Sequence, residues 1–186
     1  MACAAGAGGR IVKLPAEPPI ESLTAIIDNR EQCPLDLSPL KTKRGTLDDG
    51  DYTLVGLEKI AVIERKSEPD FLMCCGPERE RFFDRNVPRL LGYPVKALVI
   101  ESSWAALERG GWRSRITPAQ AIGSLLGLIA MGLPVVLAYD HQRAGSIVAR
   151  ILFIAARRRW REARALVSDV TGAEPSIDAD GQGAAA

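Results

Sequence analysis

Apolar residues fall along this chain in short runs with two different spacings, and the spacings alone lay out a succession of elements. Leu23-Thr-Ala-Ile-Ile27 is a β-rich run ending at Asp28-Asn29, and Tyr52-Thr-Leu-Val55 and Ile60-Ala-Val-Ile63 are two more, separated by a Gly-containing break as in a hairpin. A short helical turn is expected after Pro69, then a longer helix over roughly 79–91 that the Gly92-Tyr-Pro94 stop signal ends. Lys96 to Glu101 reads as a strand. Thr117-Pro118 sets a capping residue before a proline at the first helical position, and the helix it opens runs to about Met131, where Gly132-Leu-Pro134 stops it. Pro134 to Ala138 is another apolar strand. The last helix, over 146–166, repeats Ile147, Ile151, Ile154 and Ala155 at three- and four-residue spacing. The order β-β-β-α-β-α-β-α predicts an α/β fold with a mixed central β-sheet flanked by helices.

Composition limits how much chain that fold takes up. With 186 residues, 47% hydrophobic and 25% charged, there is material for one domain with a real core and too little for two. Residues 1–9 are nearly all Ala and Gly, and 171–186 combine Gly, Ala, Pro and Asp, so disordered tails are expected over 1–20 and 169–186 around one domain at 21–168. Twenty-four Lys and Arg against 23 Asp and Glu leave a net charge of +1, which excludes wholesale electrostatic attraction to nucleic acid and leaves only local patches for it. The longest weakly polar run, Gly123 to Ala138, is shorter than the roughly 20 residues that span a bilayer, and Pro134 interrupts it. The N-terminus lacks the layout of a secretory signal, so a cytoplasmic location is expected, at the nucleoid in a prokaryote. Cys3, Cys33, Cys74 and Cys75 include no Cys-x-x-Cys, and His141 is the single histidine, which argues for free thiols over zinc or a disulfide framework. His141 reads as a helix-start residue.

Charge at the strand ends carries the candidate chemistry. Asp28 closes the first strand, Gly50-Asp51 opens the second and Glu64-Arg65-Lys66 ends the third. Strand alternation turns Ile60, Val62, Glu64 and Lys66 to one face and Ala61, Ile63 and Arg65 to the other. An antiparallel hairpin then brings Asp51 close to Glu64 and Lys66. Two hard carboxylates suit Mg²⁺ or Mn²⁺, with waters in the remaining positions, and a nearby ammonium neutralises charge developing on a phosphoryl group. Asp28 on the adjacent strand end completes the acidic site. The same spacing is also met by a solvated strand end whose surface ion pairs are worth about 0–1 kcal/mol.

Gly50-Asp51-Tyr52 followed by Ile63-Glu64-Arg65-Lys66-Ser-Glu-Pro-Asp70 resembles the GD…ERKxxxD signature of the XPF-type structure-specific endonuclease domain, a branch of the PD-(D/E)xK superfamily. Ile26-Ile27-Asp28-Asn29-Arg30-Glu31 is similar to that family's first strand with its D-x-R-E ending, and family-like order continues through Arg81 and Glu101 to about Trp160. The resemblance implies a restriction-endonuclease-like nuclease core that cuts branched or junction DNA in repair or recombination, with Mg²⁺ or Mn²⁺ as cofactor. It makes Asp28, Asp51 and Glu64 the metal carboxylates and Lys66 the catalytic lysine. Arg65, Asp70 and Glu31 are supporting residues, although alternation sets Arg65 opposite Glu64 and turns Glu31 away from Asp28, and Asp70 equally suits a helix N-terminus.

DNA contacts are expected from Arg30, Arg81 and the basic cluster Arg157, Arg158 and Arg159 beside Trp160, for which a solvated helix end is the alternative. No helix-hairpin-helix module is seen after the last helix. A homodimer, or a heterodimer with a separate DNA-binding partner, through Ile147, Ile151 and Ile154 is therefore the expected active form, unless that stripe simply packs on its own sheet. Two other functions stay open: a catalytically silent DNA-binding or scaffold subunit, and a PD-(D/E)xK nuclease with a different DNA target.

Overall fold

The structure, a computed structural model, describes residues 16–172. The described residues divide into two compact units, Pro18–Ala156 and a smaller one that joins 16–17 with 157–172. The larger unit holds six strands: β1 Thr24–Asp28, β2 Lys41–Gly45, β3 Tyr52–Leu54, β4 Ala61–Ser67, β5 Val95–Glu101 and β6 Val135–Leu137. They form one mixed sheet in the order β2-β1-β3-β4-β5-β6. β3 is antiparallel to both β1 and β4, whereas β2 runs parallel to β1, and β4, β5 and β6 run parallel to one another.

Helices cover both faces, which is why β4 begins as an uninterrupted apolar run of Ala61, Val62 and Ile63. On one face Ala25, Ile27, Tyr52, Leu54, Ala61, Ile63, Ala97 and Val99 pack against helix α5, His141–Thr171, through Ala144, Val148, Ala149, Leu152 and Ala155. On the other, Val62, Leu98 and Ile100 meet α1 Glu68–Cys75, α2 Val87–Leu91, α3 Trp104–Arg109 and α4 Pro118–Ala130 through Phe71, Leu90, Leu107 and Leu125. Burying each such side chain fully is worth about 1.5–3 kcal/mol. Thr117 and Gln120 cap α4 reciprocally, as the Thr-Pro start implies.

The strands fall where the apolar runs place them, with two additions. β2, Lys-Thr-Lys-Arg-Gly, carries no hydrophobic signal because it is a solvent-exposed edge, the position where lysines guard a strand against further pairing. Helix α3 is the second, opened by Ser103, whose hydroxyl accepts the Ala106 N–H. The helical turn after Pro69 proves to be a full helix that starts before it, at Glu68. The helix expected over 79–91 is a π-helical segment, Glu80–Asn86, leading directly into α2. Pro88 accounts for the change: it lacks the N–H an α-helix would give to the Asp84 carbonyl, and its ring would collide with that carbonyl.

The last helix, expected over 146–166, starts at His141 and extends to Thr171. Its core stripe is Ala144, Val148, Leu152 and Ala155; Ile147 and Ile151 flank it, and Ile154 is exposed, so the stripe read from Ile147, Ile151 and Ile154 lies beside the buried one. The isoleucines overstate that side because the buried face is built largely from small residues. Cys33, Cys74 and Cys75 are free thiols. Residues 1–15 and 173–186, with Cys3 and most of the expected tails, lie outside the described residues, among which no helix is long and apolar enough to cross a membrane.

Candidate active site

The sheet register sets three acids in a row. Ile27 faces Tyr52 and Tyr52 faces Ile63, so one step further along the ladder Asp28 meets Asp51 and Asp51 meets Glu64. The backbone closes that row: the Asp28 N–H donates to the Asp51 carbonyl at 2.9 Å, and the Asp51 N–H to the Ile63 carbonyl at 2.9 Å. Gly50 makes the approach feasible. Its φ is +67°, and a Cβ there would lie 2.3 Å from Val62 Cγ2 and 3.0 Å from the Ile63 carbonyl oxygen. A glycine directly before Asp51 thus lets the chain run against β4 and delivers the carboxylate to its edge.

Asp51, Glu64 and Lys66 all line one cavity of 470 Å³, whose wall also includes Arg30, Arg81, Arg85 and Arg89 together with Asp48 and Asp49. Lys66 Nζ donates to Glu64 Oε1 and lies 5.6 Å from the centre of the Phe82 ring. The Arg65 N–H donates to Asp51 Oδ2 at 2.8 Å. Burial pushes the Asp51 carboxyl up to about 7, with Glu64 adding to the rise and Lys66 opposing it. Burial disfavours the Lys66 ammonium too, but Glu64 and Asp51 outweigh it and hold that group charged above the ordinary lysine range. The site is therefore two crowded carboxylates served by a single internal ammonium.

Asp28 is not brought into the cavity. Its Oδ1 accepts from the Arg30 N–H at 2.8 Å and from Arg30 Nε at 2.6 Å, while Oδ2 accepts from the Leu47 N–H at 2.8 Å. Burial alone would raise this carboxyl, but Arg30 and those N–H groups together hold it below the usual carboxylate range. Asp28 thus anchors Arg30 at the cavity rim and ties the β2–β3 connection to β1. Among the described residues no set of three His, Cys, Asp or Glu side chains is arranged to hold a metal ion. The pair Asp51 and Glu64 nevertheless fits a hard divalent cation, because Mg²⁺ is commonly held by one or two carboxylates with substrate phosphates and waters completing its shell. Each of the two has one oxygen engaged, by the Arg65 N–H and by Lys66, and one left over.

The other expected residues are spread around this centre. Arg65 lies on the opposite face, as alternation requires, with Nε donating to Glu101 at 2.7 Å, Nη1 3.7 Å from Glu31 and Nη2 3.3 Å from His141 Nδ1. Burial opposes its charge, and the bond to Glu101 more than restores it. Glu31 serves this brace, away from the cavity, and so does His141, 2.7 Å from Glu101. Asp70 is exposed at the start of α1, where its N–H donates to the Ser67 hydroxyl and its Oδ2 accepts from that hydroxyl at 2.6 Å. Arg81 is exposed on the cavity wall, 3.9 Å from Glu78. In the smaller unit Arg157 pairs with Glu17, and Arg158 and Arg159 each reach Glu162 at 2.9 Å, so this cluster carries its own acids.

Two features escaped the sequence reading. Glu101 follows from β5 parity, since it shares a face with Ala97 and Val99 and sits beside Arg65 at the strand end. Arg85 and Arg89 follow Arg81 at four-residue spacing, and that spacing is the signal that marks them.

No family model and no curated protein matches the chain. Solved structures do. XPF from Aeropyrum pernix superposes with a TM-score of 0.58 at 16% identity, over 82% of this chain and 76% of that one. XPF from Aeropyrum pernix in complex with DNA gives 0.53 at 19% identity, over 75% and 66%. The chain thus spans about two-thirds to three-quarters of these two structures, with which it shares its fold.

Proposed function

We propose that this chain is a metal-dependent DNA endonuclease that hydrolyses phosphodiester bonds at branched or junction DNA, in repair or recombination. The carrying observation is the convergence of Asp51, Glu64 and Lys66 in one arginine-walled cavity on this fold. Asp51 and Glu64 would hold Mg²⁺ or Mn²⁺, which when bound supplies Lewis-acid stabilisation of phosphoryl charge and acidifies water for attack.

The chain's own groups divide the remaining work. Lys66, held protonated, is no base; it neutralises negative charge building on the phosphoryl oxygens. The Arg65 N–H fixes the Asp51 carboxylate, and the brace of Glu31, Glu101 and His141 fixes Arg65 from behind the sheet. Arg30, oriented by Asp28, and Arg81 bind phosphate at the rim. Water oxygen bonds to phosphorus as the bond to the 3′ oxygen breaks, leaving a 5′-phosphate and a 3′-hydroxyl; the proton released by water balances the one the 3′ oxygen takes up. A dimer of this chain, or a pair with a separate DNA-binding subunit, in the cytoplasm or at the nucleoid, is the proposed working form.

The commitment of Asp28 to Arg30, with Asp48 and Asp49 of the cavity wall paired to Lys59 and Arg89, leaves Asp51 and Glu64 as the metal carboxylates and favours a second reading as a silent DNA-binding subunit. Cleavage of flap, fork, splayed-arm and linear duplex DNAs with Mg²⁺ or Mn²⁺ separates the two. Junction cutting that EDTA stops, and that Asp51→Ala and Glu64→Ala abolish, is expected; binding without cutting under all metals would establish the silent subunit instead.

A further inference from the structure

Outside the acidic pair and Lys66, the cavity carries a row of three arginines. Arg81 and Arg85 stand on the π-helical segment and Arg89 on α2, four residues apart, and all three line the cavity that holds Asp51, Glu64 and Lys66. Their side chains are 72%, 72% and 59% exposed. Arg81 and Arg85 meet only the exposed Glu78 and Glu80, at 3.9 and 3.2 Å, and such pairs exchange readily for a stronger anion. Arg89 is fastened more firmly, with Nε 2.7 Å from Asp49 Oδ1 and Nη2 donating to the Asp48 carbonyl at 3.0 Å. The two aspartates in this wall are accounted for by cations, Asp49 by Arg89 and Asp48 by Lys59.

From this arrangement we infer that Arg81, Arg85 and Arg89 form a rail that grips the phosphate backbone of one DNA strand and lays it across the acidic pair, an inference that rests on the DNA reading above. Eight residues of helix cover about 12 Å, and along that length one strand of a duplex presents about three or four phosphates. Phosphate contacts of this kind fix register without reading sequence, which is what a structure-selective enzyme requires. Two of the three arginines stand on the π-helical segment that precedes Pro88, and such turns recur at functional sites.

The test is the salt dependence of binding, read by fluorescence anisotropy on a forked DNA with the full chain in EDTA, where nothing is cut. Each lost duplex phosphate contact lowers the magnitude of the slope of log K against log salt by about 0.9, so the Arg81→Gln/Arg85→Gln/Arg89→Gln triple is expected to lose about 2.7. The Arg81→Gln/Arg85→Gln pair, which leaves Asp49 partnered, is expected to lose about 1.8, and this variant stays informative if the triple folds poorly. Lysine at all three positions should retain the slope. Arg113→Gln/Arg115→Gln, in an exposed loop that does not line this cavity, should leave it unchanged. A wild-type slope in the pair, or an equal loss in the Arg113/Arg115 control, overturns the rail while leaving the nuclease reading intact. A wild-type chain that binds no DNA overturns both, and one that binds through the rail but never cuts overturns the nuclease reading alone.

Discussion

Lys66→Met probes the centre of the site. The ammonium contacts Glu64 and feels the charge of Asp51, and the Lys66 and Glu64 side chains are only 20% and 8% exposed. Methionine fills nearly the same volume beside Phe82, so the packing changes little and the loss is electrostatic. Removing one member of a buried ion pair costs about 3–5 kcal/mol, and the residual exposure lowers that to about 2–3 kcal/mol at pH 8 without metal. The sign of the pH dependence follows from Asp51. Its folded pKa, about 7, lies above the 3.8 of an ordinary aspartate, so its contribution to stability is full below pH 4 and is lost as pH rises through 7. At pH 5 that carboxyl already carries a proton and needs no ammonium, so the variant should lie closer to wild type there than at pH 8, while the cost of leaving Glu64 without its partner remains at both.

A divalent cation supplies the missing positive charge. Mn²⁺ should therefore raise the melting temperature of Lys66→Met at pH 8 more than that of wild type, while cleavage stays depressed by on the order of a hundredfold because the cation cannot also serve as the ammonium in the transition state. Urea and thermal melts at both pH values with and without Mn²⁺, paired with single-turnover cleavage, measure all of this. An equal loss of stability at pH 5 and pH 8, or cleavage at the wild-type rate, would refute the reasoning.

Gly50→Ala should destabilise by about 1–3 kcal/mol and depress cleavage, since the new methyl meets Val62 and the β4 backbone at a positive φ; circular dichroism melts check it, and unchanged stability would refute the close approach. Glu101→Gln should weaken the anchor of Arg65 and lower kcat with little change in KM, seen in steady-state cleavage; a change confined to KM would remove Glu101 from the brace. On α5, Leu152→Asp should unfold the larger unit, while Ile154→Asp, at a site 52% exposed, should melt as wild type and lower the association seen by light scattering across a concentration series. An Ile154→Asp protein that associates as wild type does would take that residue out of any dimer contact.

What the sequence determined by itself was the part governed by short-range rules. Alternation along a strand is a property of the backbone, so the shared face of Glu64 and Lys66 and the opposite face of Arg65 were legible before any fold, and the Gly-Asp step and the Thr-Pro cap were legible for the same reason. Only the tertiary structure decided which neighbours those residues meet. Asp28 looked like a third cavity acid until the turn to Arg30 and the N–H of Leu47, 19 residues on, took both its oxygens. β2 became a strand only because β1 offered it an unpaired edge, a gain that does not depend on its polar side chains. The buried stripe of α5 was set by the space above Ala25, Ala61 and Ala97, which small residues fill better than the isoleucines beside them. Local stereochemistry fixes where a side chain points, whereas what lies at the end of it depends on segments far away in the chain, and their pairing carries no local signal.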